Sequence, residues 1–170
     1  PDVIIAFGGG SAIDTAKGII YFGINGGLMK KPVFITIPTT SGTGSEVTSA
    51  AVITDVESKS KHLIMDNDIL ADIAILDPTL TLSVPPAVTA NTGMDVLTHA
   101  LEAYVATGAN VFSDALAEKS VELLLDSLLV CYKDGQNLAA RSKMHEASTL
   151  AGMAFNTAGL GVNHSIAHQL

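Results

Sequence analysis

Five apolar residues, Val3-Ile-Ile-Ala-Phe7, run without a break into three glycines, Gly8-Gly-Gly10, and a helical period follows. An unbroken apolar run of this length is the pattern of a parallel strand covered on both faces. Glycine ends the strand, Ser11 is placed to cap a helix over 12–21, and Asp14 stands where the helix dipole favours an anion. Gly26-Gly27 and Pro32 mark the return, and 33–37 reads as a second apolar strand stopped at Pro38. Strand, glycine turn, helix and strand make the βαβ unit of an open α/β sheet. Shorter strands are expected near 51–54, 61–65 and 73–76.

The period then changes. Pro78, Pro85 and Pro86 frame the segment 79–87 as a hinge, after which 90–105, 114–132 and 138–156 carry apolar residues at three- and four-residue spacing. Gly108, Gly135 and Gly159 punctuate these helices. The expected architecture is a partial α/β domain over 1–86 followed by an all-helical domain over 87–170. No internal repeat interrupts this plan. Pro1-Asp2 leads straight into a strand and Gln169-Leu170 stops inside a helical pattern, so the expectation is a piece of a larger chain.

Composition narrows the function classes. The net charge of −8 and the scattered basic residues, apart from Lys59-Ser-Lys61, argue against nucleic acid as a partner. No apolar stretch is long enough to span a bilayer. A single cysteine, Cys131, excludes an internal disulfide; it fits a reducing compartment, and a bridge-free secreted protein equally well. The start lacks a basic n-region, and a cytoplasmic location is the expectation. Cys131 lacks an activating basic neighbourhood and reads as inert. Met65, Met94, Met144 and Met153 read as core filler.

Two polar pairs stand out in the helical half: Asp95-Val-Leu-Thr-His99 and His164-Ser-Ile-Ala-His168. Each sets two ligand-type side chains four apart, on one face of a helix. One pair alone is a capped helix with a satisfied histidine. Two pairs in apolar surroundings are costly to bury without a partner and point to a divalent metal such as zinc or iron. His62 and His145 lack such company and read as surface or outer-sphere residues.

In the first half, the unpaired N–H groups at the start of the helix after Gly8-Gly-Gly-Ser11 fit a phosphate, although a tight strand-to-helix turn with no ligand explains the same residues. The loop is neither the three-glycine dinucleotide fingerprint nor a P-loop, for which Lys17 is misplaced. Pro38-Thr-Thr-Ser-Gly-Thr-Gly-Ser-Glu46 follows the second strand and belongs on the same sheet edge, where open α/β sheets collect ligands.

Gly8-Gly-Gly-Ser-Ala-Ile-Asp-Thr-Ala-Lys17, the loop 38–46, Gly93-Met-Asp-Val-Leu-Thr-His-Ala-Leu-Glu-Ala-Tyr104 and Gly161-Val-Asn-His-Ser-Ile-Ala-His-Gln-Leu170 together resemble the iron-containing (group III) alcohol dehydrogenases. The resemblance implies a nicotinamide-binding α/β domain, a helical metal domain and an active site in the cleft between them. It implies that Gly9, Gly10 and Ser11 hold the pyrophosphate of NAD or NADP, that Thr39, Thr40, Thr43 and Thr48 line the dinucleotide, and that Lys61 reaches its ribose. Asp95, His99 and His164 match three ligands of Fe²⁺, with Zn²⁺ the alternative, and His168 matches a proton relay. The implied reaction passes a hydride between a small alcohol or aldehyde and the nicotinamide, in a homo-oligomer. A glycerol dehydrogenase, a dehydroquinate synthase-like relative and a non-catalytic cofactor-binding segment remain as alternatives. The family's fourth ligand lies beyond Leu170, and its first strands precede Pro1.

Overall fold

The computed structural model describes residues 1–57 and 60–167. Three parallel strands, β1 (Val3–Gly8), β2 (Val33–Pro38) and β5 (Ile73–Ala74), form a sheet in the order β1-β2-β5. Gly8 is registered against Pro38, so both loops leave the sheet side by side at its C-terminal edge. Strands β3 (Ala50–Asp55) and β4 (Ser60–Met65) pair antiparallel in a ribbon of their own.

Helix α1 (Gly10–Asn25) packs Ile13, Ala16 and Ile20 against Ala6, Phe34, Ala51 and Ile69. Only one face of β1 is covered in this way: Ile5 and Phe7 are each 60% exposed, which corrects the expectation of a strand buried on both sides. The cap differs too. Gly9 is the N-cap residue with no side-chain hydrogen bond, and Asp14 lies beyond the first turn, accepting from Ser45 Oγ at 2.5 Å and Val52 N at 3.0 Å. Ser11 is therefore a helical residue, not a cap.

Helices α2 (Pro86–Val105), α3 (Val111–Lys133) and α4 (Leu138–Ala158) form the second layer, and α5 (Val162–Ala167) follows a turn at Gly159, where φ is +86°. Pro86 opens α2 at a position where its missing N–H costs no hydrogen bond. Asn110 caps α3 in a reciprocal arrangement with Ser113. The core between them is small: Ala100, Ala103, Ala117, Ala140, Ala147, Ala151 and Ala154 around Val96, Leu124 and Met144. Ser113, Ser120 and Ser127 are buried along α3, and Ser120 Oγ donates to the Ala147 carbonyl at 2.7 Å. Small side chains let the helix axes approach, so Leu125 and Leu129 of α3 are left outside. Of the four methionines expected inside, Met144 is in the core, whereas Met65, Met94 and Met153 are exposed.

Candidate metal centre

Asp95 and His99 lie four apart on α2, and α5 brings His164 against them. Asp95 Oδ1 is 3.8 Å from His99 Nε2 and 3.6 Å from His164 Nε2. One ligand atom from each residue lies within 4.8 Å of the others, the only such cluster of three among the described residues. Two ligands each about 2.0–2.2 Å from one ion stand roughly 3–3.5 Å apart. Small side-chain adjustments therefore bring these three onto a common ion, and the two-imidazole, one-carboxylate set suits Fe²⁺ or Zn²⁺. The imidazoles of His99 and His164 stack with centroids 4.4 Å apart, and the ring of Phe155 from α4 also stacks on His99, at 4.5 Å. His168 lies outside the described residues.

The two histidines sit in opposite electrostatic settings. Burial pushes His99 down to about 4, against the pull of Asp95. Asp95 holds His164 above its ordinary value, against burial, and Glu102 acts in the same direction. Glu102 accepts from Nδ1 of His164, on the far side of the ring from Asp95. Metal-free, the site thus holds a neutral imidazole beside one that favours its proton.

A cavity of about 620 Å³ opens in front of this cluster. Asp95, His99, His164 and Phe155 line one part of it, and Thr43, Thr48 and Lys61 line another. Leu63, Met65 and Leu160 add apolar wall. Gly9, Gly10, Ser11, Thr39 and Thr40 lie outside this lining, at the neighbouring sheet edge. There the two loops pack on one another: a Cβ on Gly9 would meet Thr40 Oγ1 at 3.2 Å, and one on Gly10 would meet Thr43 Cγ2 at 2.7 Å. Close loop packing thus accounts for these glycines by itself. Lys61 is exposed, with Nζ 3.5 Å from the Ala167 carbonyl.

The structure adds residues that sequence reasoning passed over. Lys17 is fully buried, its ammonium donating to the Thr48 carbonyl at 2.7 Å, the Ala50 carbonyl at 2.8 Å and Thr48 Oγ1 at 3.1 Å. Burial lowers its pKa to about 8 while Asp14 and Glu46 pull it back. The Thr48 hydroxyl is accordingly engaged within the protein. Glu46, held up by burial, accepts from Thr149 Oγ1 at 2.8 Å. His145 is not a surface residue: it is buried, 2.9 Å from Ser41 Oγ through Nδ1, and away from the cavity lining. Burial lowers its pKa as well. Glu102, three residues after His99, was visible only as part of a motif, because its partners arrive from α5.

A parallel sheet with two loops at its C-terminal edge is thus followed by a helical layer that carries a histidine–carboxylate cluster beside a cavity. Residues 1–78 match the iron-containing alcohol dehydrogenase family, and residues 89–170 match the C-terminal part of the Fe-containing alcohol dehydrogenase family. The chain belongs to the iron-containing alcohol dehydrogenase family. It is 61% identical over 170 residues to a 1-propanol dehydrogenase of Citrobacter freundii, covering 100% of this chain and 46% of that one. It is 44% identical over 183 residues to an NADPH-dependent butanol dehydrogenase of Clostridium saccharobutylicum, covering 99% and 47%. A sulfoacetaldehyde reductase from Bifidobacterium kashiwanohense, solved in complex with NAD⁺, superposes with a TM-score of 0.89 at 36% identity, over 96% of this chain and 47% of that one. The chain spans about half the length of the curated relatives it matches.

Proposed function

We propose that the full-length protein is a metal-dependent, NAD(P)-linked alcohol dehydrogenase acting on small alcohols and aldehydes. The observation that carries this is the convergence of Asp95, His99 and His164 on a cavity that also meets the Thr/Ser loop. A bound metal would supply Lewis acidity toward an alcohol or carbonyl oxygen, and a nicotinamide would accept or give the hydride.

This chain's residues divide the remaining work. Asp95, His99 and His164 hold the metal, the carboxylate offsetting part of its charge. The N–H groups at Gly9, Gly10 and Ser11 receive the pyrophosphate at the α1 N-terminus, where no side chain caps the helix. Thr39, Thr40, Thr43 and Thr48 flank the dinucleotide, Lys61 reaches its ribose, and His168 moves a proton between the reacting oxygen and solvent. Leu63, Met65 and Leu160 give the cavity an apolar wall that suits a short aliphatic chain. On this reading residues 1–86 serve the cofactor and 87–170 the metal. The exposed Ile5 and Phe7 call for a covering layer on the open face of β1, the place that crossover helices take in an α/β sheet. A homo-oligomer in the cytoplasm completes the proposal; the unpaired Cys131 suits a reducing compartment. Among the described residues, no helix is long and apolar enough to cross a membrane.

The test is metal content by elemental analysis together with NAD(P)H absorbance during 1-propanol oxidation. Asp95→Ala or His99→Ala in the full-length protein should lose most of the metal and the turnover with it. Stoichiometric metal retained in both variants would overturn the reading.

A further inference from the structure

Two carboxylates meet His164, from opposite sides of its ring. Asp95 Oδ1 lies 3.6 Å from Nε2, on the ligand side. Glu102 hydrogen-bonds Nδ1, on the other. Glu102 is 8% exposed and sits seven residues after Asp95 and three after His99, on the same stripe of α2. Its oxygens also take the backbone donors that open α5: Oε1 accepts from Asn163 N at 2.7 Å, and Oε2 from His164 N at 3.4 Å. Gly161 makes room for this approach, since a Cβ there would stand 2.8 Å from Oε1.

The geometry points to Glu102 as a positioning residue of the metal centre, fixing the His164 tautomer that presents Nε2 to the metal and anchoring the short helix that delivers it. This rests on Asp95, His99 and His164 being ligands. A neutral imidazole has one lone pair, and the hydrogen bond made by one nitrogen decides that the other carries it. A carboxylate accepting from Nδ1–H leaves the lone pair on Nε2 and makes that nitrogen a stronger donor to a metal. None of the six residues of α5 is buried, so apolar packing holds the helix weakly and the polar contacts of Glu102 weigh more in placing it. His99 differs: among the described residues no carboxylate meets its Nδ1, and burial, the Phe155 ring and the Gly42 backbone hold it. One histidine is set by packing and the other by a carboxylate.

The experiment uses the full-length protein and Co²⁺ as the probe, with affinity from chelator competition and geometry from the Co²⁺ visible spectrum. Glu102→Gln keeps a side-chain oxygen for the Asn163 N–H but removes the charge, and Gly161→Ala displaces the carboxylate while keeping it. Both should weaken Co²⁺ binding by about 10–100-fold and alter the spectrum, with the far-ultraviolet circular dichroism unchanged. Wild-type affinity and spectrum in the folded variants would overturn the inference, as would a loss of thermal stability with affinity per folded molecule intact. If Glu102→Gln does not fold, Gly161→Ala decides by the same criteria. Asp95→Ala run alongside separates the two levels. Metal lost there but kept in the other two variants sinks only the role of Glu102, and metal kept there sinks the ligand assignment itself.

Discussion

Replacing Gly152 by alanine should destabilise the protein even though helix propensity favours the change. Gly152 lies inside α4, where alanine is worth about 1 kcal/mol over glycine. The site forbids the side chain for a tertiary reason. A Cβ there would stand 2.9 Å from the Gly44 carbonyl oxygen, 3.0 Å from Gly44 Cα and 2.8 Å from Val47 Cγ2. Two of these three are backbone atoms of a glycine at φ +62°, which cannot rotate away. Overpacking of this kind costs about 1–3 kcal/mol. Pushing α4 off the loop also weakens the buried Thr149–Glu46 hydrogen bond, and leaving a buried polar group unsatisfied costs about 1–3 kcal/mol. Taking only part of that second loss, the net is destabilisation of about 2 kcal/mol. Urea unfolding of the full-length protein should show a lower midpoint at unchanged slope, with faster amide exchange over residues 42–49. A raised midpoint, the sign that propensity alone sets, would refute the packing argument.

Two further predictions concern the metal centre. His164→Ala should release the metal, whereas His168→Ala should keep it and lose about 10²–10⁴-fold in rate with an altered pH profile; equal metal loss in both, by elemental analysis, would make His168 a ligand. In the metal-free protein the pKa of His99 is lowered from 6.5 to about 4, so the unfolded chain takes up the proton first as the pH falls. Its contribution to stability is present above pH 6.5 and is lost progressively down to about 4, on the order of 3 kcal/mol. His99→Gln should therefore flatten this acid limb in urea midpoints measured against pH, and an unchanged limb would rule His99 out as its source.

The sequence carries the local physics of this fold well and the tertiary physics poorly. Strand β2 and helices α2 to α4 follow from runs and periods, because each pattern is a property of neighbouring residues. The spacings Asp95–His99 and His164–His168 are legible for the same reason, as four-residue spacing is itself local. Burial of Lys17, Glu46 and His145 was not visible. A buried charge is tolerable only when its partners converge, and those of Lys17 come from 48 and 50 while that of Glu46 comes from α4. In α3 the period misleads about which residues face inward, because close helix approach selects serine and alanine over leucine. The face of β1 was misjudged because an apolar run does not say which neighbours are present to cover it.

Helix α4 couples the candidate metal centre to the loop 38–46. Along one side it presents His145 to Ser41, Thr149 to Glu46 and Asn156 to Ser49, each pair within 3.1 Å. Between the last two it presents Gly152 to Gly44, and one residue before Asn156 it presents Phe155 to His99. The same helix therefore sets the loop that borders the cavity and the ring of His99 inside it. A shift of α4 large enough to accommodate one added carbon at Gly152 moves both, because close-packed interiors transmit displacement rather than absorb it. If the variant is less stable for the reason given, its Co²⁺ spectrum should change as well, although residue 152 is neither one of the three clustered residues nor part of the cavity lining.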